Sequence, residues 1–115
     1  MKSKIENIRS KDPLDILIFE KGLRIKSVIS DKELDLMVLI LTNGKIIKTK
    51  VSGIQLFNNA SQKELDNWKL VGGGVGLHWE DLDEDLSLKG FIKETAITNI
   101  VRQLQEKGTT ELLLM

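Results

Sequence analysis

The residue types best suited to chemistry crowd into 25 residues, Trp68 to Ile92, WKLVGGGVGLHWEDLDEDLSLKGFI. This stretch holds the only histidine, both tryptophans, five of the nine glycines and the densest acidic run. Asp81, Asp83 and Asp85 alternate like the first three ligands of a calcium-binding EF-hand loop. Such a loop needs glycine at its sixth position and a bidentate glutamate at its twelfth. Leu86 and Ile92 stand there, so the calcium reading fails. Ligand types alone leave another divalent site with His78, and hence a metal-dependent enzyme, as the weakest reading. No metal ligand is assigned.

The run Gly72-Gly-Gly-Val-Gly76 invites a phosphate loop. That loop needs a Lys and a Ser or Thr at its end, and a dinucleotide fingerprint needs a strand-to-helix turn. Leu77-His78-Trp79 follows instead and has the look of a strand. The glycines read as a turn or bulge. Catalysis lacks a convergent set of groups: there is one histidine, no cysteine and no tyrosine. His78 beside Trp79 reads as a packed or hydrogen-bonded residue. No catalytic residue and no cofactor is assigned, and the chain is expected not to be an enzyme. What remains is a contact surface for an unknown protein partner: His78, Trp79, Glu80, Asp81, Asp83, Glu84 and Asp85. An acidic face suits a basic partner through charge complementarity.

Seventeen Lys and Arg balance seventeen Asp and Glu over 115 residues. The balance is uneven along the chain. Residues 1–50 carry 11 basic and 7 acidic side chains, and residues 51–115 carry 6 and 10. A neutral chain lacks the broad basic footprint that drives nucleic-acid affinity by counterion release. A local basic face at Lys45, Lys48 and Lys50 keeps a nucleic-acid-binding regulator as the second reading. No apolar run approaches the roughly 18 residues of a membrane span. The polar start shows no secretory signal. With no cysteine, the expected location is the cytoplasm.

The elements that must position these residues follow from periodicity and turn chemistry. Residues 1–13 read as a disordered lead or a short helix ending before Pro13. Asp15 to Phe19 reads as a strand, and Leu23 to Lys26 alternates like a half-buried one. Ser30 to Glu33 is a turn. Leu34 to Thr42, Asn43-Gly44 and Lys45 to Val51 form a hairpin, since Asn-Gly favours the type I′ turn. A two-residue turn pairs Leu41 with Ile46 and Ile40 with Ile47. Leu36, Val38, Ile40, Ile47 and Val51 then make the core face. Met37, Leu39 and Leu41 make a second face, covered by the chain itself or by another copy in a homodimer.

Ser61-Gln-Lys-Glu64 is a capping box for a short helix to about Asn67, docked by Leu65 and Trp68. Lys69 to Val71 and Leu77 to Trp79 form a second hairpin. Ser87 is the N-cap of a helical turn through Ile92, with the acids before it favouring the positive helix end. Ile97, Ile100, Val101 and Leu104 recur at helical spacing and need a surface to pack on. Lys107 and Gly108 close that helix. The tail Glu111 to Met115 is tucked in, added as a strand or used on a partner.

From Trp68 the chain resembles the bacterial domain-of-unknown-function family 2442. The residues carrying the likeness are Trp68, the glycines to Gly76, His78-Trp79, Leu82 to Ser87 and Gly90-Phe91. Upstream, Leu23 to Val28, the long strand and Asn43-Gly44-Lys45 also fit, so the resemblance spans about residues 23–92. It departs where the family often has proline after His-Trp and this chain has Glu80. Residues 1–22 and the helix after Ile92 extend the usual short form. The resemblance implies a small α+β domain. Some members are joined to helix-turn-helix domains, and others are encoded beside a small protein in the manner of toxin–antitoxin pairs. It supplies no catalytic residues.

The expected fold is thus α+β: one domain over 1–115, mostly antiparallel hairpins, a short central helix and a longer C-terminal helix within 93–115. The expected function is a non-enzymatic interaction module, antitoxin-like or regulatory.

Overall fold

The computed structural model describes residues 12–106. The expected lead up to Lys11, the cap at Lys107 and Gly108, and the leucine-rich tail lie outside them. The first element corrects an expectation. Residues 15–19 are helical, not a strand: α1 (Pro13–Asp15) runs into a five-residue π-helical turn, Ile16–Glu20. Asp12 caps the segment by accepting from the Leu14 amide at 2.8 Å, and Pro13 occupies the first helical position. That pairing starts helices because proline's missing N–H is not needed there. Only Ile18 of the segment is buried, which a half-buried strand would not allow.

Two three-stranded antiparallel sheets follow. The first has the order β1 (Ile25–Asp31), β2 (Leu36–Leu41), β3 (Ile46–Thr49). Its second hairpin sits one residue away from the expected register: Ile46 pairs with Ile40 and Ile47 with Leu39. The Leu41 amide donates to Lys45 O at 2.9 Å and the Gly44 amide to Leu41 O at 3.0 Å. Gly44 has φ +85°. This is the three-residue loop, a type I turn closed by a left-handed glycine, rather than the two-residue type I′ turn.

A one-residue slip changes which side chains share a face. Lys48 now stands opposite Val38, and Ile47 opposite Leu39. The core face is therefore Met37, Leu39 and Leu41, and the expected set Leu36, Val38 and Ile40 is only half-buried. A bulge between Ile25 and Ser27 turns Ile25 and Val28 to that same inner side, where both are buried. Cover for Met37, Leu39 and Leu41 comes from within the chain, so they form no dimer contact. Val51 is buried as expected, but in a 3-10 turn, Val51–Gly53, rather than on the strand.

A second 3-10 turn, Gln55–Phe57, leads to α2 (Gln62–Asp66). The capping box forms in full: Ser61 Oγ accepts from the Glu64 amide at 3.1 Å and Glu64 Oε1 from the Ser61 amide at 2.9 Å. Leu65 docks completely buried, as a helix of five residues requires. Gln62 bridges to the first sheet, donating to Ser30 O at 2.9 Å.

The second sheet has the order β4 (Trp68–Val71), β5 (Gly76–Trp79), β6 (Glu84–Ser87). Of the acids before Ser87, Glu84 and Asp85 belong to this last strand, and Glu80, Asp81 and Asp83 precede it. Ser87 does cap α3 (Leu88–Gln105), accepting from the Gly90 amide at 2.9 Å, and this helix is continuous past Ile92. It ends at Gln105, capped by Glu106.

One contiguous core joins the sheets and helices. Its largest fully buried members are Trp79, Phe57 and Phe91. Phe57 and Trp79 meet edge to face with ring centres 4.8 Å apart, a geometry that satisfies both ring quadrupoles. Trp79 Nε1 donates to Leu65 O at 3.2 Å, so its one polar group is paired inside.

Candidate functional site

β5 alternates sharply, because Leu77 and Trp79 turn inward and leave His78 on the outer face. Lys69 of β4 and Asp85 of β6 stand directly beside His78 in the ladder. His78 Nδ1 lies 2.6 Å from Asp85 Oδ1, and its Nε2 lies 3.7 Å from Glu80 Oε1. The same Glu80 oxygen meets Lys69 Nζ at 3.0 Å. Two carboxylates thus bracket one imidazole. With Nδ1 donating to Asp85, Nε2 faces a second acid rather than a hydroxyl it could activate, so the arrangement orients the ring without supplying a nucleophile. Among the described residues no three His, Asp or Glu side chains converge as a metal set.

Of the sequence-predicted contact residues, the structure removes Trp79, which is wholly buried and belongs to the core. The remaining six share a short surface. Glu80 and Asp81 sit on the 3-10 turn Glu80–Leu82, and Asp83 closes it in the left-handed region with φ +49°. Asp81 accepts from Asn67 Nδ2 at 3.0 Å, which ties this turn to the end of α2. Asp83 and Glu84 are exposed and form no ion pair among the described residues. Lys69 and Asn67 were not among the expected site residues. Counting the four-residue loop 72–75 back from Gly76 brings Lys69 opposite His78, so the signal lay in the hairpin's loop length.

The glycine run is a structural device. Gly72, Gly73 and Gly74 all have positive φ, and the Gly74 carbonyl accepts from the Ile25 amide at 2.8 Å. A Cβ on Gly74 would stand 2.5 Å from Ile25 O. The turn therefore seats directly on the backbone of β1 and joins the two sheets. The basic residues Lys45, Lys48 and Lys50 are all exposed but strung along the edge strand β3, from its leading turn to the residue after it. At about 3.3 Å per residue, five residues spread the outer pair over roughly 16 Å, with exposed Ile46 between them. They form a row rather than a pocket.

No described helix is long and apolar enough to cross a membrane. Comparison with solved structures finds a protein of unknown function from Rhodospirillum rubrum, 32% identical, with a TM-score of 0.56. That match covers 63% of this chain and 87% of the other. An uncharacterised protein from Chromobacterium violaceum, solved in solution, is 24% identical with a TM-score of 0.60. It covers 92% of this chain and 99% of that one, and shows the same fold. No curated protein matches the chain. A family model described as protein of unknown function (DUF2442) matches residues 25–95, from the first residue of β1 into α3. The matched span holds both sheets, the glycine turn and the His78–Asp85 pair, and this chain belongs to the DUF2442 family.

Proposed function

We propose that this chain is a non-enzymatic interaction module of the cytoplasm, the antitoxin-like or regulatory member of a pair. It captures a basic protein partner with the acidic surface of Glu80, Asp81, Asp83, Glu84 and Asp85, with His78 at its centre. One observation carries the reading: Asp83 and Glu84 stand exposed without a counter-cation among the described residues, where a turn tied to Asn67 enters the strand paired with β5. Charges held this way are ready to complement a partner and need little ordering on contact.

The test is co-purification from the native bacterium with the intact chain and with an Asp83→Ala/Glu84→Ala variant. The expected result is a basic protein retained by the first, lost from the second, and released as salt rises. Retention of every partner by the variant would overturn the reading. Gel shifts with duplex DNA and RNA address the lysine row: salt-insensitive binding, or none, removes the nucleic-acid alternative.

A further inference from the structure

The first sheet ends on an edge whose backbone groups are open. β3 is the last strand of its sheet, with β2 as its strand neighbour. The Leu41 amide donates to Lys45 O at 2.9 Å, and the pairs Leu39–Ile47 and Met37–Thr49 continue that set. Residues facing each other across antiparallel strands alternate between bonded and non-bonded pairs. Lys45, Ile47 and Thr49 therefore turn their backbone groups toward β2, and Ile46 and Lys48 turn theirs outward. Among the described residues no hydrogen bond reaches these two from the outer side. The open edge stops at Lys50, whose carbonyl accepts from the Gly53 amide at 3.1 Å.

The side chains along this edge are patterned. Ile46 and Lys48 lie on the outer face of the sheet, away from Met37, Leu39 and Leu41. Ile46 ends a row with Ile40, and Lys48 ends the next row, with Val38 and Ile29. Ile46 and Ile29 are each 55% exposed. Lys45 and Lys48 are exposed and form no ion pair among the described residues. Lysine on an edge strand keeps unmatched strands from adding to it. A second copy paired antiparallel here would set Lys45, Lys48 and Lys50 of both chains along one seam, and like charges facing each other destabilise a strand pair. An acidic strand meets attraction instead.

We propose that β3 accepts an acidic, extended segment of a protein partner as a fourth, antiparallel strand of the pattern Asp/Glu-x-aliphatic. Each outward-turned residue exchanges two main-chain hydrogen bonds with the residue directly opposite, about 5.5 Å away between Cα atoms. The partner's acid stands beside Lys48, and its aliphatic residue two positions on stands beside Ile46, both on the outer face. The antiparallel direction puts the acid first. Main-chain bonds to Ile46 and Lys48 supply affinity, and the two side chains select the sequence. This edge belongs to the first sheet and takes a partner of opposite charge to the one assigned to the second, so neither reading requires the other.

The test is an amide NMR titration of the intact chain with the blocked peptide acetyl-Thr-Glu-Thr-Leu-Thr-amide. Three control peptides replace the glutamate with lysine, replace the leucine with threonine, or carry N-methyl groups on the glutamate and leucine amides. Methylation deletes the main-chain donors and keeps the charge. The expected result is saturable shifts and slower hydrogen exchange at Ile46 and Lys48 with the matched peptide, and binding about tenfold weaker or more with each control. Lys48→Glu, at an exposed position, should reverse the preference, so that the lysine peptide binds better than the matched one. No saturable shift at β3 with the matched peptide overturns the proposal. Equal binding of the methylated peptide also overturns it, since the row would then be a general anion surface. So does a stronger saturable response of the same amides to a thymidine oligonucleotide, which would make nucleic acid the occupant. Concentration-dependent shifts of Ile46 and Lys48 in the free chain would assign the edge to a second copy and overturn it as well.

Discussion

Gly74 is where a single atom has the largest consequence. An alanine there must hold φ at +112° while its Cβ meets Ile25 O at 2.5 Å, Arg24 Cβ at 3.0 Å and Ile25 N at 3.1 Å. Backbone cannot retreat as a flexible side chain can. Gly74→Ala should therefore cost about 3 kcal/mol or more in urea unfolding, as strain at a special φ and a main-chain clash combine. Gly73 has φ +69° and open space around it, so Gly73→Ala should cost only about 1–2 kcal/mol. Equal costs would mean that the turn is not seated on β1. Thr95 supplies the opposite case. It is buried in α3 with a hydroxyl that has no hydrogen-bond partner among the described residues. Valine keeps the shape and removes the unsatisfied group, so Thr95→Val should raise stability by about 1 kcal/mol, read as a shift in the urea midpoint at unchanged slope.

At the scale of elements, α1 is attached to α3 by charge. Lys89 Nζ meets Asp12 Oδ2 at 3.1 Å and Asp15 Oδ1 at 2.7 Å. The Lys89 hydrogen bond, with the Leu14 amide next, holds the Asp12 carboxyl below its ordinary value of 3.8. The bonds to Asp15 and Asp12 raise Lys89 above 10.5. A lowered acid contributes fully above its unfolded value and is lost as pH falls through the folded one. A raised lysine contributes fully below its unfolded value and is lost as pH rises through the folded one. Hydrogen exchange of the α1 amides should accordingly show constant relative protection from about pH 5 to 10 and extra opening beyond either end, with Lys89→Met removing the alkaline limb and weakening the acid one, which the Leu14 amide still supports. The helix caps and hairpins were legible in the sequence because their signals are local: Ser61 with Glu64, Ser87, Asn43-Gly44. The face of β2 was not legible, because Leu36 to Leu41 is apolar throughout and offers no alternation. The choice came from the extra loop residue that set Lys48 against Val38, and from the bulge in β1. The helical start at Asp12-Pro13 carried a readable signal, which the β-branched residues after it outweighed. The candidate surface was legible as a segment, while its division into a buried Trp79 and a half-buried His78 on the outer face required the strand parity.

At the scale of the molecule, α3 faces two ways. Leu88, Phe91 and Thr95 are buried against the core, whereas Ile97, Val101 and Leu104 are 61%, 46% and 65% exposed. At 100° per residue the second set points roughly opposite to the first. The expected apolar stripe is therefore real, but no described surface covers its far half. Past Thr95 the helix still passes the body at Thr98, which lies beside Gly53. Folding should depend on the first half alone. Phe91→Ala should cost about 3–5 kcal/mol as a cavity in the core. Val101→Lys and Ile97→Lys should each change unfolding free energy by no more than about 0.5 kcal/mol, because neither side chain leaves a packed environment. Denaturant melts of the three variants at one protein concentration make the comparison. A loss of 2 kcal/mol or more from either lysine variant would show that the outer stripe packs against something when the chain folds, and repeating the melts at tenfold dilution would tell a second copy from the chain itself, since only the former makes stability depend on concentration.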